Sequence, residues 1–483
     1  MLTLRIDLSD AGCRPATSAA AVGFGDSYVE PFATNQLETS VRESADGAEI
    51  WIGEGPDPFP AAGAAPSRPD DYRGHAVHEG VKLFVSGSDA PPAVSIARTG
   101  TGGTPLYITS HGRILYASWR FEHAAQNTPR KRPNKEACRL YLAHGDGQVR
   151  EQVIEGMFML WPGERLVFDD SGLSFEQAAR PDIVLPNTLT ESARVTEEFL
   201  YLVAEAMRPN LARSNQPIVE LSGGYDSSCV AIAARSATDR LNSYGLVHQG
   251  AMGIQQRKRR RELVDLLGVN DFEFPSWEHT PLASLEVPEC SLTLVDDNHR
   301  LPCAYAVDAH PAKGLDLILT GVGGDELTME NTFQRREWEV AGNVCTSALV
   351  TAAARADMFM RRGIWPKNPL AAQAVVDFCR ALPAKLRSGR LLNILTLARS
   401  GLSDGFLFPR YLEHYGAGMQ HEAALYDFDA QLTESIVADY GITDLTGLLR
   451  RAREAGHGGF SYKLIFELFT LLKLEKVLRR YCS

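Results

Sequence analysis

Residues 217–234 read PIVELSGGYDSSCVAIAA, and this stretch decides the fold that the sequence predicts. An apolar run of strand type leads into Ser222, two glycines follow, and an apolar run of helical type begins almost at once. Gly223 and Gly224 allow the backbone to approach a ligand closely. The free N–H groups at a helix start, with the helix dipole behind them, favour an anion. The stretch therefore predicts a strand–loop–helix unit that binds phosphate.

The side chains of this loop fit the same task. The hydroxyls of Ser222, Ser227 and Ser228 add hydrogen-bond donors for phosphate oxygens. Asp226 is a carboxylate among anion-binding groups, which is reasonable only if a cation such as Mg²⁺ joins it to the phosphates. The loop is not GxxxxGK[ST], because no lysine follows the glycines, and it is not GxGxxG. A ligand-free turn of small residues is the alternative, but seven consecutive residues fit one function.

A second segment of the same kind follows about a hundred residues later, at 317–327 (LILTGVGGDEL). Ligands bind at the carboxyl ends of strands in open parallel sheets, so Asp325 is expected to face Asp226 there. The two carboxylates would hold Mg²⁺ against the phosphates of a ligand. Glu326 is either a further acid of the site or an ordinary acid at a helix N-terminus. Three glycines of the turn let the backbone approach the ligand: Gly321, Gly323 and Gly324.

The rest of the chain shows two different patterns of secondary structure, which predict an α/β protein of two domains. Residues 1–180 are β-rich, with candidate strands at 2–8, 81–86, 93–98, 105–109, 113–119 and 165–169. A two-proline linker at 179–187 precedes the second domain, 188–483. There a helix at 190–207, capped by Ser192, precedes strands at 217–221, 243–248, 271–274 and 315–320, and residues after 330 are mostly helical. Strands separated by helices predict a parallel sheet covered on both faces.

Composition excludes several classes of function. A length of 483 residues favours two domains. The net charge of −11 gives no general attraction to nucleic acid or to anionic membranes. No apolar run approaches the ~20 residues of a membrane helix, no secretion signal is visible, and the eight single cysteines suggest neither zinc nor disulfides. These features predict a cytoplasmic protein without nucleic-acid or membrane partners. The basic run 257–261 (RKRRR) is interpreted as an exposed helix start or a mobile loop near the nucleotide.

The loop SGGYDSS resembles the SGGxDSS pyrophosphate loop of the ATP pyrophosphatases, which cleave ATP between its α and β phosphates. With TGVGGDE at the right distance, the pair of motifs resembles the asparagine synthetase superfamily. The resemblance implies ATP and Mg²⁺ as cofactors and a doubly wound, HUP-like synthetase domain with a helical C-terminal part. It also implies that Thr320 and Gly321 contact the nucleotide and that adenine lies near Leu246. The expected activity is amide-bond formation through an acyl-adenylate.

The first domain resembles the glutaminase domain of glutamine-dependent members of that superfamily. The resemblance lies in residues 103–119 (GTPLYITSHGRILYASW) and 161–166 (WPGERL), and it implies a β-rich fold of the N-terminal-nucleophile type. Such a glutaminase needs a cysteine at its processed N-terminus. Here Leu2 follows Met1, and Cys13 is internal. We therefore expect a degenerate domain without glutaminase activity, which serves as a scaffold or as a surface for a partner.

Two kinds of relative form amides from an amine that is already present in the substrate. β-Lactam and carbapenam synthetases close a ring in a small amino acid derivative. Lasso peptide macrolactam cyclases adenylate an Asp or Glu side chain of a precursor peptide and join it to the peptide's N-terminal amine. Val322 stands where the β-lactam formers have tyrosine and asparagine synthetase has glutamate, so the motif is more similar to the GxGGD of the cyclases. The leading prediction is thus a precursor-peptide substrate, with a leader-peptide-binding protein and a peptidase as companions.

Other assignments stay open at this point. The superfamily uses a C-terminal lysine near the α phosphate, and Lys463, Lys473 and Lys476 are the candidates, with Lys463 preferred. Residues 296–300 (DDNHR) and 330–339 are candidates for the substrate side, or else a surface loop and a solvated helix face. An RNA-modifying pyrophosphatase is disfavoured by the acidic charge, by the second motif and by the lack of a thiol pair. A non-catalytic binding protein is the remaining alternative.

Overall fold

The computed structural model describes residues 1–55, 79–98, 103–144, 150–176, 188–190, 194–278, 281–294, 300–328, 346–411 and 416–482. Up to Glu176 the chain forms two antiparallel sheets, with strand orders β11-β9-β10-β1-β4-β3-β2 and β13-β12-β8-β7-β6-β5. Their strands are β1 (Leu2–Asp7), β2 (Ala16–Thr17), β3 (Val22–Phe24), β4 (Ser27–Pro31), β5 (Glu38–Ser44), β6 (Gly47–Gly53), β7 (Gly80–Ser86), β8 (Ala93–Arg98), β9 (Tyr107–His111), β10 (Ile114–Ser118), β11 (Met157–Met159), β12 (Arg165–Asp169) and β13 (Gly172–Glu176). Two helices accompany them, α1 (Phe121–Asn127) and α2 (Lys135–His144).

Alternation of apolar and polar residues explains these strands. In β1, Leu2, Leu4 and Ile6 are buried and the residues between them are partly exposed, as the two faces of a half-buried strand require. All six predicted segments are strands. The sequence analysis missed others, such as β5, whose ETSVRES sequence lacks an apolar face because it is an edge strand and nowhere fully buried. The glutaminase-like description of this part stays a prediction.

From Val195 onward helices alternate with a five-stranded parallel sheet of order β16-β15-β14-β17-β18. The strands are β14 (Pro217–Glu220), β15 (Asn242–Val247), β16 (Asn270–Pro275), β17 (Leu317–Leu319) and β18 (Trp365–Lys367). The helices are α3 (Val195–Arg213), α4 (Tyr225–Ala237), α5 (Gly250–Leu267), α6 (Pro281–Ser284), α7 (Arg300–Ala309), α8 (Gly324–Thr328), α9 (Thr346–Met360), α10 (Gln373–Ala381), α11 (Ala384–Arg387), α12 (Leu391–Arg399), α13 (Asp404–Leu407), α14 (Gly416–Leu425), α15 (Phe428–Leu432), α16 (Ile436–Asp439), α17 (Thr446–Gly458) and α18 (Tyr462–Cys482).

Both faces of this sheet are covered. Ile218 and Ile318 belong to a core cluster with α7 and α9, whereas their neighbours Val219 and Leu319 belong to the core cluster that contains α4. The period of two in a strand sends successive side chains to opposite faces, so a strand covered on both faces has apolar residues at consecutive positions, as at Ile218 and Val219. The predicted parallel sheet, with helices on both faces, is confirmed.

Some predictions about the second domain and its linker need correction, and others fall on residues outside the described ranges. The region after 330 contains β18, which was missed because it is a three-residue edge strand with a central proline. The first helix runs from Val195 to Arg213, beyond the predicted end and through Pro209. Ser192, the linker 179–187 and the segments 296–299 and 330–339 lie outside the described residues.

The basic run 257–261 is not a helix start or a loop. It lies inside α5, where Arg260 is fully buried and its Nη2 lies 2.6 Å from Asp271 of β16. Arg259 is also buried, and its Nε donates to the carbonyl of Phe406. A charge run is read as solvated unless its partners are known, and these partners come from other elements. None of the helices in the described ranges has the length and apolar character that a bilayer crossing requires.

Candidate active site

The two glycine-rich turns meet at the carboxyl edge of the parallel sheet. β14 and β17 are neighbours, with Val219 opposite Leu319, and α4 and α8 begin directly after their turns. Asp226 and Asp325 each stand in the first turn of their helix. A methyl group added at Gly324 would lie 2.3 Å from Cγ of Asp226. The second turn therefore packs directly on the Asp226 side chain and tolerates no larger residue at Gly324.

A cation from a third element joins the two carboxylates. Nη1 of Arg390 lies 3.0 Å from Oδ2 of Asp226, and Nη2 of the same guanidinium donates to Oδ1 of Asp325. Asn393, one turn later in α12, donates from Nδ2 to Oδ1 of Asp226 at 2.5 Å. No local pattern in the sequence marks either residue, and the sequence analysis missed both. Both carboxylates are thus within reach of a single positive group.

This arrangement fits a divalent cation that is shared with phosphates. Burial, reinforced by Asp325 and opposed by Arg390, raises the pKa of Asp226 to about 7. Oδ1 of Asn393 is a buried oxygen without a hydrogen-bond partner among the described residues. Neither here nor elsewhere in the described ranges do three His, Cys, Asp or Glu side chains converge as a metal cage. Mg²⁺ typically takes one or two carboxylates and completes its shell with waters and phosphate oxygens, so the pair suffices.

Mg²⁺ should stabilise the protein more at about pH 8 than at about pH 6. The pKa of Asp226 rises from 3.8 to about 7 on folding of the metal-free protein. Between these values the unfolded chain loses a proton that the folded chain keeps, so rising pH destabilises the metal-free fold. Above about pH 7 the carboxylate is charged and open to the metal. The increase in Tm on adding MgCl₂ measures the effect, and Asp226→Asn should remove its pH dependence; an increment that falls with pH contradicts the assignment.

The first turn is held open by its own hydroxyls. The Oγ atoms of Ser222 and Ser227 lie 3.0 Å apart, and the N–H of Gly224 donates to Ser222 Oγ at 3.0 Å. Gly223 has a φ of 89°, which favours glycine. Ser228 is buried behind the turn, and its hydroxyl donates to the carbonyl of Gly224 at 2.6 Å. Ser222 and Ser227 line the open space beside the turn, whereas Ser228 supports the turn.

The second turn is fixed from behind by Thr320. This residue is fully buried, and its hydroxyl donates to Oδ1 of Asn368 at 2.5 Å and accepts from the N–H of Val322 at 3.2 Å. The Thr320 side chain thus positions the turn. Gly321 and Val322 lie on the exposed side of the turn, towards the ligand space.

A cavity of about 400 Å³ opens over both turns, a size typical of small-molecule sites. Eight of the predicted site residues line it: Ser222, Gly224, Asp226, Ser227, Leu246, Gly321, Asp325 and Glu326. Its other end contains a charged cluster that the sequence analysis missed. There the carboxylate of Glu220 accepts from the hydroxyl of Tyr244 at 2.5 Å, from Arg355 and from Sγ of Cys303 at 3.5 Å. The cavity therefore has the two glycine-rich turns, which suit phosphate, at one end and the cluster around Glu220 at the other.

Gln256 of α5 also escaped the sequence analysis. Its Nε2 donates to the carbonyl of Ser222 at 2.9 Å and to that of Leu246 at 2.8 Å, and its Oε1 accepts from the N–H of His248 at 2.9 Å. One side chain thus ties together the ends of β14 and β15. A polar residue in the middle of a basic helix gives no local sign of this task.

The predicted C-terminal lysines are not brought to the cavity. The Lys463 side chain is 86% exposed and lies 3.9 Å from Glu467 at the start of α18. Lys473 is fully buried in the same helix, and Lys476 lies 3.6 Å from Glu286. None of the three is among the lining residues. The helix α18 is a core element of the C-terminal region and does not carry its lysines to the proposed site.

Arg390→Gly should be more stable than Arg390→Ala by about 1 kcal/mol. Arg390 has φ 61° and ψ 26°, and it is the one non-glycine residue of the described ranges with a positive φ. Both variants lose the guanidinium, but only glycine adopts this backbone without a Cβ penalty. Urea unfolding measures the difference. Leu395, which is 39% exposed within α12, is the matched control, and there glycine should be the less stable variant. The same order at both positions contradicts backbone strain at 390.

Comparison with known proteins identifies a matching family for the part of the chain that contains the site. Residues 198–344 match the model of the asparagine synthase family. No curated protein matches the chain.

Two solved structures are similar at low identity. The NH3-dependent NAD synthetase from Campylobacter jejuni is 13% identical over 58% of this chain and 92% of its own, with a TM-score of 0.26. The glutamine phosphoribosylpyrophosphate amidotransferase from B. subtilis is 11% identical over 85% and 93%, with a TM-score of 0.19. Both TM-scores are too low to bear on function. The family match, together with the parallel sheet and its two turns, supports placing residues 198–344 in the asparagine synthetase superfamily, with an ATP pyrophosphatase-like fold.

Proposed function

We propose that this chain uses ATP to activate a carboxylate as an acyl-adenylate and transfers the acyl group to an amine. The observation that carries the proposal is that Asp226 and Asp325 lie close enough, where the two turns meet, for the guanidinium of Arg390 to contact both carboxylates. The match of residues 198–344 to the asparagine synthase family supports ATP-dependent amide-bond formation. The position and charge of the two carboxylates and the family match thus all favour ATP-dependent amide-bond formation.

The residues divide the work as follows. Asp226 and Asp325 would hold Mg²⁺, which, when bound, neutralises charge on the leaving pyrophosphate. Ser222, Ser227 and the N-terminus of α4 orient the phosphates. A carboxylate oxygen attacks the α phosphorus, the bond to the bridging oxygen breaks, and pyrophosphate leaves. The amine then attacks the acyl carbon, AMP leaves, and the new amide nitrogen gives up a proton.

The leading version of the substrate is a peptide. An Asp or Glu side chain of a precursor peptide would be adenylated and joined to the N-terminal amine of the same peptide, as in lasso peptide cyclisation. Val322 lies on the cavity wall and cannot accept a proton, unlike the tyrosine or glutamate of the small-molecule enzymes that this motif resembles. A leader-peptide-binding protein and a peptidase would then act with this enzyme.

ATP–pyrophosphate exchange with labelled pyrophosphate tests the proposal. We expect exchange and AMP formation with a linear core peptide, and a peptide product lighter by one water. Exchange with a small amino acid derivative alone would instead indicate a β-lactam-type synthetase, and exchange with free aspartate an asparagine-synthetase-like enzyme. Release of ADP contradicts acyl-adenylate chemistry. ATP binding without any turnover favours a binding protein, and activity that is lost on ribonuclease treatment favours an RNA substrate.

A further inference from the structure

Arg390 stands at the proposed metal position in a backbone conformation that few side chains adopt. Gly389 and Arg390 are consecutive left-handed residues, with φ of 59° and 61°, immediately before α12. Non-glycine residues persist in this region when the surrounding structure requires it, and they cluster at ligand sites. The turn places the guanidinium on the cavity wall, 26% exposed.

The contacts of this guanidinium are those of a substitute cation. It spans Asp226 and Asp325, and its Cζ lies 5.9 Å from the ring centre of Tyr225. When both carboxylates are ionised, they and Arg390 together carry a net charge of −1; a divalent cation in place of Arg390 would bring the net charge to zero. A divalent cation that is shared with a triphosphate therefore competes with Arg390 for the same oxygens. A guanidinium that is released beside phosphates matches their geometry with its planar fork of donors.

We propose that Arg390 is the phosphate-binding cation of this site and that it holds the two carboxylates until Mg·ATP replaces it there. This inference rests on the proposed function, because it assumes that a triphosphate occupies the cavity. The side chain then turns from the aspartates to the phosphates, while Asn393 keeps its hydrogen bond to Asp226. Arg390 thus supplies the positive charge that the C-terminal lysines do not bring to the cavity, since Lys463 points to solvent.

Arg390 is proposed to compete with the metal and to bind phosphate, so its removal should change the affinities for metal and for nucleotide in opposite directions. In Arg390→Ala, Mn²⁺ used as a probe for Mg²⁺ should bind the nucleotide-free protein about tenfold more tightly, because its competitor is gone. The same variant should bind Mg²⁺ with α,β-methylene-ATP about tenfold more weakly, because a charge-assisted contact to phosphate is lost. Mn²⁺ paramagnetic resonance measures the first change and calorimetry the second.

Two further variants make the test specific. Arg390→Lys keeps the charge but not the fork, so both shifts should be smaller, and it serves as the folded substitute if the alanine variant is unstable. Arg399→Ala, at the last residue of α12, is the matched control; this arginine donates to the hydroxyl of Thr196 at 2.9 Å, and its loss should leave both affinities unchanged. Shifts of the same sign, or no shift, in Arg390→Ala overturn the inference.

The experiment also separates this inference from the proposed reaction. The methylene analogue cannot be cleaved between its α and β phosphates, so binding is measured without chemistry. If no carboxylate supports pyrophosphate exchange but the two binding shifts are opposite in sign, the role of Arg390 is retained and adenylation is rejected. Exchange with a peptide, combined with unchanged binding by Arg390→Ala, would retain adenylation and reject the role of Arg390.

Discussion

Replacing Asp226 by asparagine should slow ATP–pyrophosphate exchange by about three orders of magnitude. The amide has the shape of the carboxylate and still offers an oxygen to Asn393, whose Nδ2 lies 2.5 Å from Asp226 Oδ1, so the variant should fold. It lacks the charge that a metal on two carboxylates requires. Initial exchange rates at saturating ATP, with circular dichroism to verify folding, measure the effect.

The control for this variant lies in the same helix. Ser236→Ala removes a hydroxyl near the C-terminal end of α4 that donates only to the carbonyl of Ala233, away from both turns. Its exchange rate should equal that of the wild type. An Asp226→Asn protein with more than about a tenth of the wild-type rate would mean that this carboxylate does not hold the metal.

Replacing Glu54 by alanine should lower the free energy of unfolding by about 3–5 kcal/mol. Glu54 follows β6 of the first part, yet its carboxylate accepts from Nζ of Lys367 at 2.6 Å and from Nε1 of Trp365 at 2.8 Å, both in β18. Burial alone would raise the pKa of Glu54, but the charge of Lys367 and these hydrogen bonds outweigh it, so the pKa is lowered. Without Glu54 the Lys367 ammonium, 8% exposed, stays buried without its carboxylate.

A second contact between the same two parts provides the control. Glu38 pairs with Arg213, but its side chain is 47% exposed, so Glu38→Ala should cost less than about 1 kcal/mol. Adding Lys367→Met to Glu54→Ala should restore part of the loss, because no charge is then left buried. The urea midpoint of each variant measures these differences. Equal effects of Glu38→Ala and Glu54→Ala would show that the buried pair does not hold β18 to the first part.

The glycine-rich turns could be predicted because the residues that define each turn are adjacent in the sequence. Each consists of an apolar strand, two or more glycines, hydroxyls or acids, and the start of a helix, all within about a dozen residues. The apolar runs at 217–221 and 315–320 and the order of helices and strands were enough to predict a parallel sheet. Rules about the carboxyl edge of such sheets then brought Asp226 and Asp325 together.

Longer-range contacts were beyond such rules. Arg390 is 164 positions from Asp226 in the chain and sits in RSGRLLN, where nothing distinguishes it from other surface arginines. The run 257–261 indicated exposure, yet Arg260 is buried because its carboxylate partner comes from β16. Lys463 was the preferred candidate among the C-terminal lysines, and the packing of α18 leaves it exposed to solvent.

Local patterns therefore sufficed for the α/β class, the parallel sheet and the two turns, since strand period, glycine placement and helix starts depend on neighbouring residues alone. The cation between Asp226 and Asp325, the Gln256 tie and the join of Glu54 to β18 depend on which distant side chains meet. Those contacts depend on how helices and strands pack against one another, because a buried charge is stable only when the fold places a partner of opposite charge beside it.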